Sequence, residues 1–293
     1  MPPLILITGA TGNVGGALLA RLSLQGVPVR ALVRDPGRAD NLRGYDVDIA
    51  VGTYEDPPSL ARAMDGIERV FVLSPASESM AGQEQAVLAA AAGADVRHVV
   101  KLAAAGVDAP GESPVRFMRE HQAVVRRARE LTMALTVLAP NGFMQNFLAM
   151  SAQVQEAGTI ALPVGGAAVS YVDVRDVAGV AAHVLTSDGH EDATYTITGP
   201  EALTMDQVAQ RMSAVVGREV RAVEAPADQA RAGMLGAGMS PWLTDGLLEL
   251  YDVYRAGHAA AVTDEVQKAT GQPARSLDTF LADHLAAFRP AAA

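Results

Sequence analysis

Three glycines spaced three residues apart, Gly9, Gly12 and Gly15, follow the apolar run at residues 4–7 and precede apolar residues at helical spacing. This order predicts a buried strand, a tight turn and a helix. Glycines at such a turn let the backbone approach a pyrophosphate, and the helix start supplies unpaired N–H groups and a positive dipole end. The spacing is G-x-x-G-x-x-G rather than the G-x-G-x-x-G fingerprint, but its place between a strand and a helix favours a dinucleotide site. No Gly-Lys-Ser/Thr follows, which excludes a P-loop.

The residues after the second predicted strand bear on which dinucleotide would bind. In dinucleotide-binding folds, an acidic side chain about 20 residues past the glycines binds the ribose hydroxyl of NAD, whereas an arginine receives the 2′-phosphate of NADP. Here Arg34 comes first, Asp35 follows it, and Arg38 lies one turn further on. Because a guanidinium matches phosphate bidentately, the sequence favours NADPH over NADH, although Asp35 leaves NAD open.

Short apolar runs rich in β-branched residues alternate with helical patterns through the first half of the chain. Strands that are apolar on both faces belong to parallel sheets covered by helices, so the alternation predicts a doubly wound, Rossmann-type α/β fold. The predicted strands are 4–8, 29–33, 47–51, 69–73, 98–102, 134–138 and 195–198, and the predicted helices are 14–25, 57–65, 80–93 and 116–130.

The rhythm changes after about residue 140. A loop rich in glycine precedes a short predicted strand at 170–172 and predicted helices at 173–185 and 204–216, the second capped by Thr204. Residues 233–261 carry methionines, tyrosines and the single tryptophan, and they predict a small, mainly helical substrate cap. We therefore expect a dinucleotide-binding domain over 1–150 and a smaller substrate-cap region over 151–293, in which 170–216 returns a strand and helices to the core.

The composition excludes several classes of function. The chain has no cysteine, and its six histidines show no metal-ligand spacing, so we expect no disulfide and no metal site. A net charge of -10 opposes direct binding to nucleic acid. No apolar stretch reaches the 18 residues of a membrane span, and no basic region precedes the first apolar run. We expect a cytoplasmic protein with no membrane partner, and the sequence is compatible with a homodimer.

Beyond the glycine turn, four stretches carry a family resemblance: VRDPGRA at 33–39, VGTYEDPPSL at 51–60, LTVLAPNGFMQN at 135–146 and VTDEVQKATGQPARSLDTFLADH at 262–284. With the turn itself, they resemble the NmrA-like atypical short-chain dehydrogenases, in particular the NADPH-dependent quinone reductases and dye reductases of that family. The resemblance covers nearly the whole chain. It implies adenine contacts at 53–54, ribose and nicotinamide contacts at 73–74, and nicotinamide packing along 141–143.

The turn, the residues after the second strand and the resemblance together give one set of expected cofactor contacts. They are Gly9, Thr11, Gly12, Asn13, Val14, Gly15, Arg34, Arg38, Thr53, Tyr54, Leu73, Ser74, Asn141, Gly142 and Phe143.

The usual proton donor of short-chain dehydrogenases is missing. Those enzymes use a tyrosine whose pKa is lowered by a lysine four residues on, but neither Lys101 nor Lys268 has a tyrosine at that spacing. By resemblance the pair falls at Phe117 and His121, and the helping serine falls on an alanine. We therefore predict no catalytic acid or base, although His121 stays open as a weak proton donor. General acid assistance is worth roughly 10²–10⁴-fold in rate, so an unactivated ketone would be a poor substrate.

A quinone or a cationic dye differs from a ketone because it already accepts hydride readily, so that catalysis needs positioning rather than an acid. We expect hydride transfer from NADPH to a flat, conjugated acceptor of this kind, held in a pocket walled by Phe143, Met144 and Trp242. Two alternatives stay open. One is a non-catalytic NADP(H) sensor that regulates a protein partner, and the other is a tailoring reductase or isomerase of aromatic polyketides.

Overall fold

The computed structural model describes residues 2–35, 37, 42 and 44–289. Within them lie strands β1 (Ile5–Ile7), β2 (Val29–Val33), β3 (Asp48–Val51), β4 (Arg69–Val72), β5 (His98–Leu102), β6 (Ala134–Pro140), β7 (Thr159–Ala161), β8 (Thr194–Ile197) and β9 (Arg221–Val223). The main sheet has the order β3-β2-β1-β4-β5-β6-β8, and all its pairings are parallel. This order turns at the first strand, so the predicted doubly wound sheet is confirmed.

The same residues form twelve α-helices, and a 3-10 helix spans Met144–Met150. The α-helices are α1 (Asn13–Leu24), α2 (Pro57–Ala63), α3 (Met80–Gly93), α4 (Arg116–Arg129), α5 (Ser151–Ala157), α6 (Val174–Thr186), α7 (Met205–Val216), α8 (Ala227–Gly236), α9 (Pro241–Arg255), α10 (Glu265–Thr270), α11 (Leu277–Asp283) and α12 (Leu285–Phe288). No helix of the described ranges is long and apolar enough to cross a membrane.

Both faces of the main sheet are buried. In β1, Ile5 and Ile7 point into a first cluster with α1 and α6, whereas Leu6 between them points into a second cluster with α2, α3 and α4. The alternation of side chains along a strand explains this division. Helices α1, α2, α3 and α4 each return the chain from the carboxyl end of one parallel strand to the amino end of the next, so the loops that follow these strands gather at one edge of the sheet.

Residues after 150 contribute to two places. Strand β8 extends the main sheet beside β6, and α6 packs on α1. The small β7–β9 sheet, α5, α7, α11 and α12 surround a third cluster of buried side chains beside the sheet, which includes Phe147 and Phe280. The predicted N-cap Thr204 is confirmed, and the structure adds a capping box with Gln207. The division of the chain into domains at residue 150 stays a prediction.

The predicted strand at 170–172 is wrong, because the segment makes only isolated bridges and no ladder. Its groups are bonded elsewhere: the Ser170 N–H donates to the carbonyl of Ala259 at 3.0 Å, and the Ser170 hydroxyl donates to the carbonyl of Ala261 at 2.6 Å. The segment is therefore held by the chain that follows α9. In the predicted cap at 233–261, α8 and α9 form a helical hairpin, and the short strands β7 and β9 are additional to the predicted elements.

A buried histidine near the amino end of β5 makes stability depend on pH. His98 is 4% exposed and its Nε2 lies 2.8 Å from the Thr136 hydroxyl. Burial, aided by nearby Arg69, lowers the pKa of His98 to about 4. The unfolded chain, whose histidine pKa lies near 6.5, then binds the proton more tightly, so acidification from about pH 6.5 towards 4 favours unfolding.

We expect this histidine to remove roughly 3 kcal/mol of unfolding free energy between about pH 7 and pH 4. A His98→Gln variant, measured by urea unfolding across that range, should lose less stability on acidification than the wild type by about this amount. Acidic groups with lowered pKa values contribute equally to both proteins. Parallel curves for the two proteins would contradict the assignment.

Candidate cofactor and acceptor site

The glycine turn joins the end of β1 to the start of α1. Gly9 adopts a left-handed conformation with φ of 64°, which disfavours other residues. A Cβ atom on Gly15 would lie 2.2 Å from the carbonyl oxygen of Gly9, so α1 can pack this closely only with glycine there. A Cβ on Gly12 would lie 3.3 Å from the same oxygen. The turn therefore leaves backbone without side chains at the amino-terminal end of α1.

The amino terminus of α1 is open to an anion. No side chain caps the helix, and its first turn contains no acidic residue. Thr11, Gly12 and Asn13 are exposed. The first N–H groups of a helix have no partner within it and lie at the positive end of its dipole. The bare turn and the uncapped, exposed helix start fit the pyrophosphate of a dinucleotide.

Two predicted contact residues meet beside this turn. The buried Thr8 hydroxyl lies 2.8 Å from both the N–H and the carbonyl oxygen of Leu73, which ties the ends of β1 and β4 together. The Tyr54 hydroxyl donates to the same carbonyl at 3.3 Å. Burial raises the pKa of Tyr54 to about 12, so its phenol is neutral. Thr53 is held by its N–H, which donates to the Ser59 hydroxyl at 3.1 Å.

The charged residues after β2 are exposed. Arg34 lies close enough to the Tyr54 ring for its charge to act on the pKa of that phenol. The Asp35 carboxylate accepts from the N–H of Gly37 at 2.9 Å. The predicted contact Arg38 lies outside the described residues. Arg34 is thus the predicted phosphate ligand that the structure places at this edge.

A buried ion pair lies under the loop after β4, and the sequence reasoning missed it. Glu84 of α3 and Lys101 of β5 are both 0% exposed, and Lys101 Nζ lies 2.7 Å from Glu84 Oε2. Glu84 Oε1 accepts from the N–H and the hydroxyl of Ser74, at 3.0 and 3.1 Å. Burial lowers the pKa of Lys101, and the Glu84 carboxylate opposes that shift. Through these hydrogen bonds the pair fixes the position of Ser74, a predicted cofactor contact.

The positions of the missing proton donor are filled by packing residues. Phe117 and His121 of α4 are 8% and 9% exposed. Burial and the charge of Lys101 hold the pKa of His121 well below its usual range, so its imidazole is neutral at physiological pH. Its Nδ1 atom has no hydrogen-bond partner among the described residues. A neutral, enclosed imidazole is a poor proton donor.

The loop after β6 brings the remaining predicted residues to the same edge. Asn141 Nδ2 donates to the Ser170 hydroxyl and to the carbonyl of Ala259, both at 2.8 Å. Phe143 is half-buried against the first cluster. Met144, predicted to wall the acceptor pocket, is only 2% exposed and packs in the third cluster. Of these two predicted walls, only Phe143 presents substantial surface.

Helix α9 lies across this edge of the sheet, from Phe117 of α4 to the loop at Gly142, and we call it the roof of the site. A Cβ on Gly246 would lie 2.9 Å from the Phe117 ring, and one on Gly142 would lie 3.0 Å from the Tyr254 hydroxyl. These two contacts are separated by eight residues of helix, or about 12 Å. Trp242, the third predicted wall residue, is partly buried in the second cluster at the beginning of α9. It therefore lies at the opposite end of the roof from Gly142.

Comparison with known proteins extends over the whole molecule. A model described as the NmrA-like family matches residues 1–280. The NAD(P)H azoreductase of Xenophilus azovorans is 38% identical over 288 residues, which cover 97% of this chain and 99% of that relative.

Two solved structures are similar along the full chain as well. An NADPH-dependent quinone oxidoreductase from Escherichia coli, complexed with NADPH, has a TM-score of 0.87 and 25% identity over 96% of this chain and 99% of that chain. The triphenylmethane reductase of Citrobacter sp., complexed with NADP(H), has a TM-score of 0.84 and 27% identity, again over 96% and 99%.

Proposed function

Because the chain belongs to the NmrA-like family, we propose that it uses NADPH to reduce quinones and dyes, acceptors that are flat and conjugated. It is an NAD(P)H-dependent oxidoreductase. The observation that carries the proposed acceptor class is the presence of Phe117 and a neutral, buried His121 at the positions of the family's usual proton donor. The names of the azoreductase, quinone oxidoreductase and triphenylmethane reductase relatives support the same class.

The cofactor is proposed to lie along the edge formed by the strand ends. Gly9, Gly12 and the first turn of α1 would hold the pyrophosphate. Tyr54 and Leu73 would line the adenosine half, and Ser74 would lie beside the nicotinamide half, with Asn141, Gly142 and Phe143 opposite. When bound, NADPH supplies the hydride for the reaction.

The chain's own residues would then position the acceptor. Phe143 would offer a flat wall next to the nicotinamide site, and α9 would cover the acceptor from the other side. Reduction of a quinone to its hydroquinone consumes one NADPH and one proton, which water can supply. Because the acceptor is already electrophilic, holding it at near-attack distance allows the reaction without a side chain that gives up a proton.

The test is the rate of NADPH oxidation with a panel of quinones, azo dyes and triphenylmethane dyes. We expect acceptor-dependent turnover that is absent from a Gly12→Asp variant, whose carboxylate would stand in the proposed pyrophosphate site. If no acceptor were reduced faster than by that variant, while NADP⁺ and NADPH bound with different affinities, the sensor alternative would replace this proposal. Product analysis with aromatic polyketides separates the tailoring alternative.

The preference for NADPH is proposed to depend on Arg34. Replacing it with glutamine should raise the KM for NADPH by about 5- to 10-fold, the value of one exposed charge-assisted hydrogen bond, and leave the KM for NADH unchanged. The matched control is Arg97→Gln, an exposed arginine paired with Glu68 at the far edge of the sheet. Equal changes in both KM values would contradict a 2′-phosphate contact.

A further inference from the structure

Tyr254 brings a phenol from the last turn of α9 to the loop after β6. Its side chain is 7% exposed and packs in the third cluster. Its hydroxyl lies 3.0 Å from the position that a Cβ on Gly142 would take. Any larger residue at Gly142 would occupy the space into which this hydroxyl projects. The phenol on α9 thus packs against the loop that follows β6.

The Tyr254 hydroxyl has no hydrogen-bond partner among the described residues, unlike the hydroxyls of Tyr54, Tyr171 and Tyr195. Tyr171 provides a contrast. Its ring would lie 3.1 Å from a Cβ on Gly142, but its hydroxyl contacts Met205 Sδ at 3.8 Å. Of the two phenols beside Gly142, only that of Tyr254 lacks a partner among the described residues, so its O–H can donate to a ligand.

The surroundings of Tyr254 keep its phenol protonated. Burial and the neighbouring Tyr251 both raise the pKa of Tyr254. The phenol is therefore neutral at physiological pH and acts as a hydrogen-bond donor rather than as a base. A fixed donor is most effective where negative charge develops on an oxygen during reaction, and loss of one such donor lowers rates about 10²–10³-fold in well-studied enzymes.

We propose that Tyr254 donates a hydrogen bond to the carbonyl oxygen of a quinone bound beside the loop at Gly142, and so makes the site favour acceptors that carry an oxygen. The proposal rests on the proposed function. The phenol gives its hydrogen bond and not its proton, so the overall reaction still takes its proton from water. A hydrogen-bond donor on α9 would thus act on the substrate oxygen in a family member whose α4 lacks the usual proton donor.

The test compares two acceptors in a Tyr254→Phe variant, which keeps the ring and its packing. With duroquinone, kcat/KM should fall about 10- to 100-fold. With a cationic triphenylmethane dye, whose hydride-accepting carbon bears no oxygen, it should change less than about twofold. Tyr251→Phe, one turn earlier on the same helix, is the matched control and should leave both acceptors unaffected. Equal losses with both acceptors, or no loss with duroquinone, would overturn the proposal.

A second measurement does not depend on turnover. Trp242 is the only tryptophan and lies on α9, so quenching of its fluorescence can report duroquinone binding to protein saturated with NADP⁺. Tyr254→Phe should weaken that binding about 5- to 10-fold, the value of one hydrogen bond. If the wild type reduced no acceptor, the proposed function would fail, while this titration would still decide the contact: unchanged affinity in the variant would refute it.

Discussion

Replacing Gly15 with alanine should weaken NADPH binding by about 100-fold and lower the unfolding free energy by about 2–3 kcal/mol. The added methyl group would lie 2.2 Å from the carbonyl oxygen of Gly9, so α1 would have to move away from the turn. Its free N–H groups would move with it and lose their aim at the pyrophosphate. Isothermal titration with NADPH and urea unfolding measure the two effects.

Gly16→Ala is the matched control, because a Cβ there would meet only Ala10 O, at 3.5 Å, which is ordinary contact. It should bind NADPH like the wild type and be as stable or up to about 1 kcal/mol more stable, since alanine favours helices. Asn13→Asp separates binding from folding. A carboxylate in the first turn should stabilise the helix slightly but repel the pyrophosphate, so Tm should rise while affinity falls. Unchanged affinity in both Gly15→Ala and Asn13→Asp would place the dinucleotide elsewhere.

Lys101→Met should lower the unfolding free energy by about 3–5 kcal/mol, because it leaves the Glu84 carboxylate enclosed without its countercharge. Both side chains are 0% exposed, so water cannot compensate without opening the packing between α3 and β5. Denaturant unfolding at neutral pH measures the loss. We also expect weaker NADPH binding, since Glu84 holds the loop at Ser74.

The double variant Glu84→Gln with Lys101→Met tests the electrostatic cause. A neutral amide can still accept the hydrogen bonds from Ser74, and methionine fills much of the lysine volume, so the double variant should recover most of the lost stability. Stability losses that simply add would mean that packing, and not the pair of charges, sets the cost. The structure would then need another reason for a lysine in a buried strand.

The sequence predicts the main sheet well where local patterns decide the structure. The run at 4–7 and the helical spacing after Gly15 are sufficient to identify β1 and α1, because their burial follows directly from composition. Strands β7 and β9 have three residues each, and β9 is partly exposed, so neither shows a pattern long enough to identify. Their pairing joins segments about 60 residues apart and depends on tertiary contacts.

The candidate site also has one part that local sequence patterns predict and another part that they do not. The glycine turn can be predicted because one local segment carries its chemistry. The Glu84–Lys101 pair and the approach of Tyr254 to Gly142 join residues from distant parts of the chain, so no local pattern indicates them. One signal was available for the first: a lysine in the centre of the apolar run at 98–102 must find a partner when that strand is buried.

Helix α8, which precedes α9, has a consequence for how the sequence can evolve. All ten residues of α8 are described and none is buried; the helix packs on α9, with Arg231 paired to Asp245 at 2.9 Å. A segment that adds nothing to the interior can change its sequence freely, even its length, while the scaffold beneath keeps its shape. Most substitutions within residues 227–236 should therefore leave stability unchanged, whereas substitutions at Tyr254 and Gly142 should not.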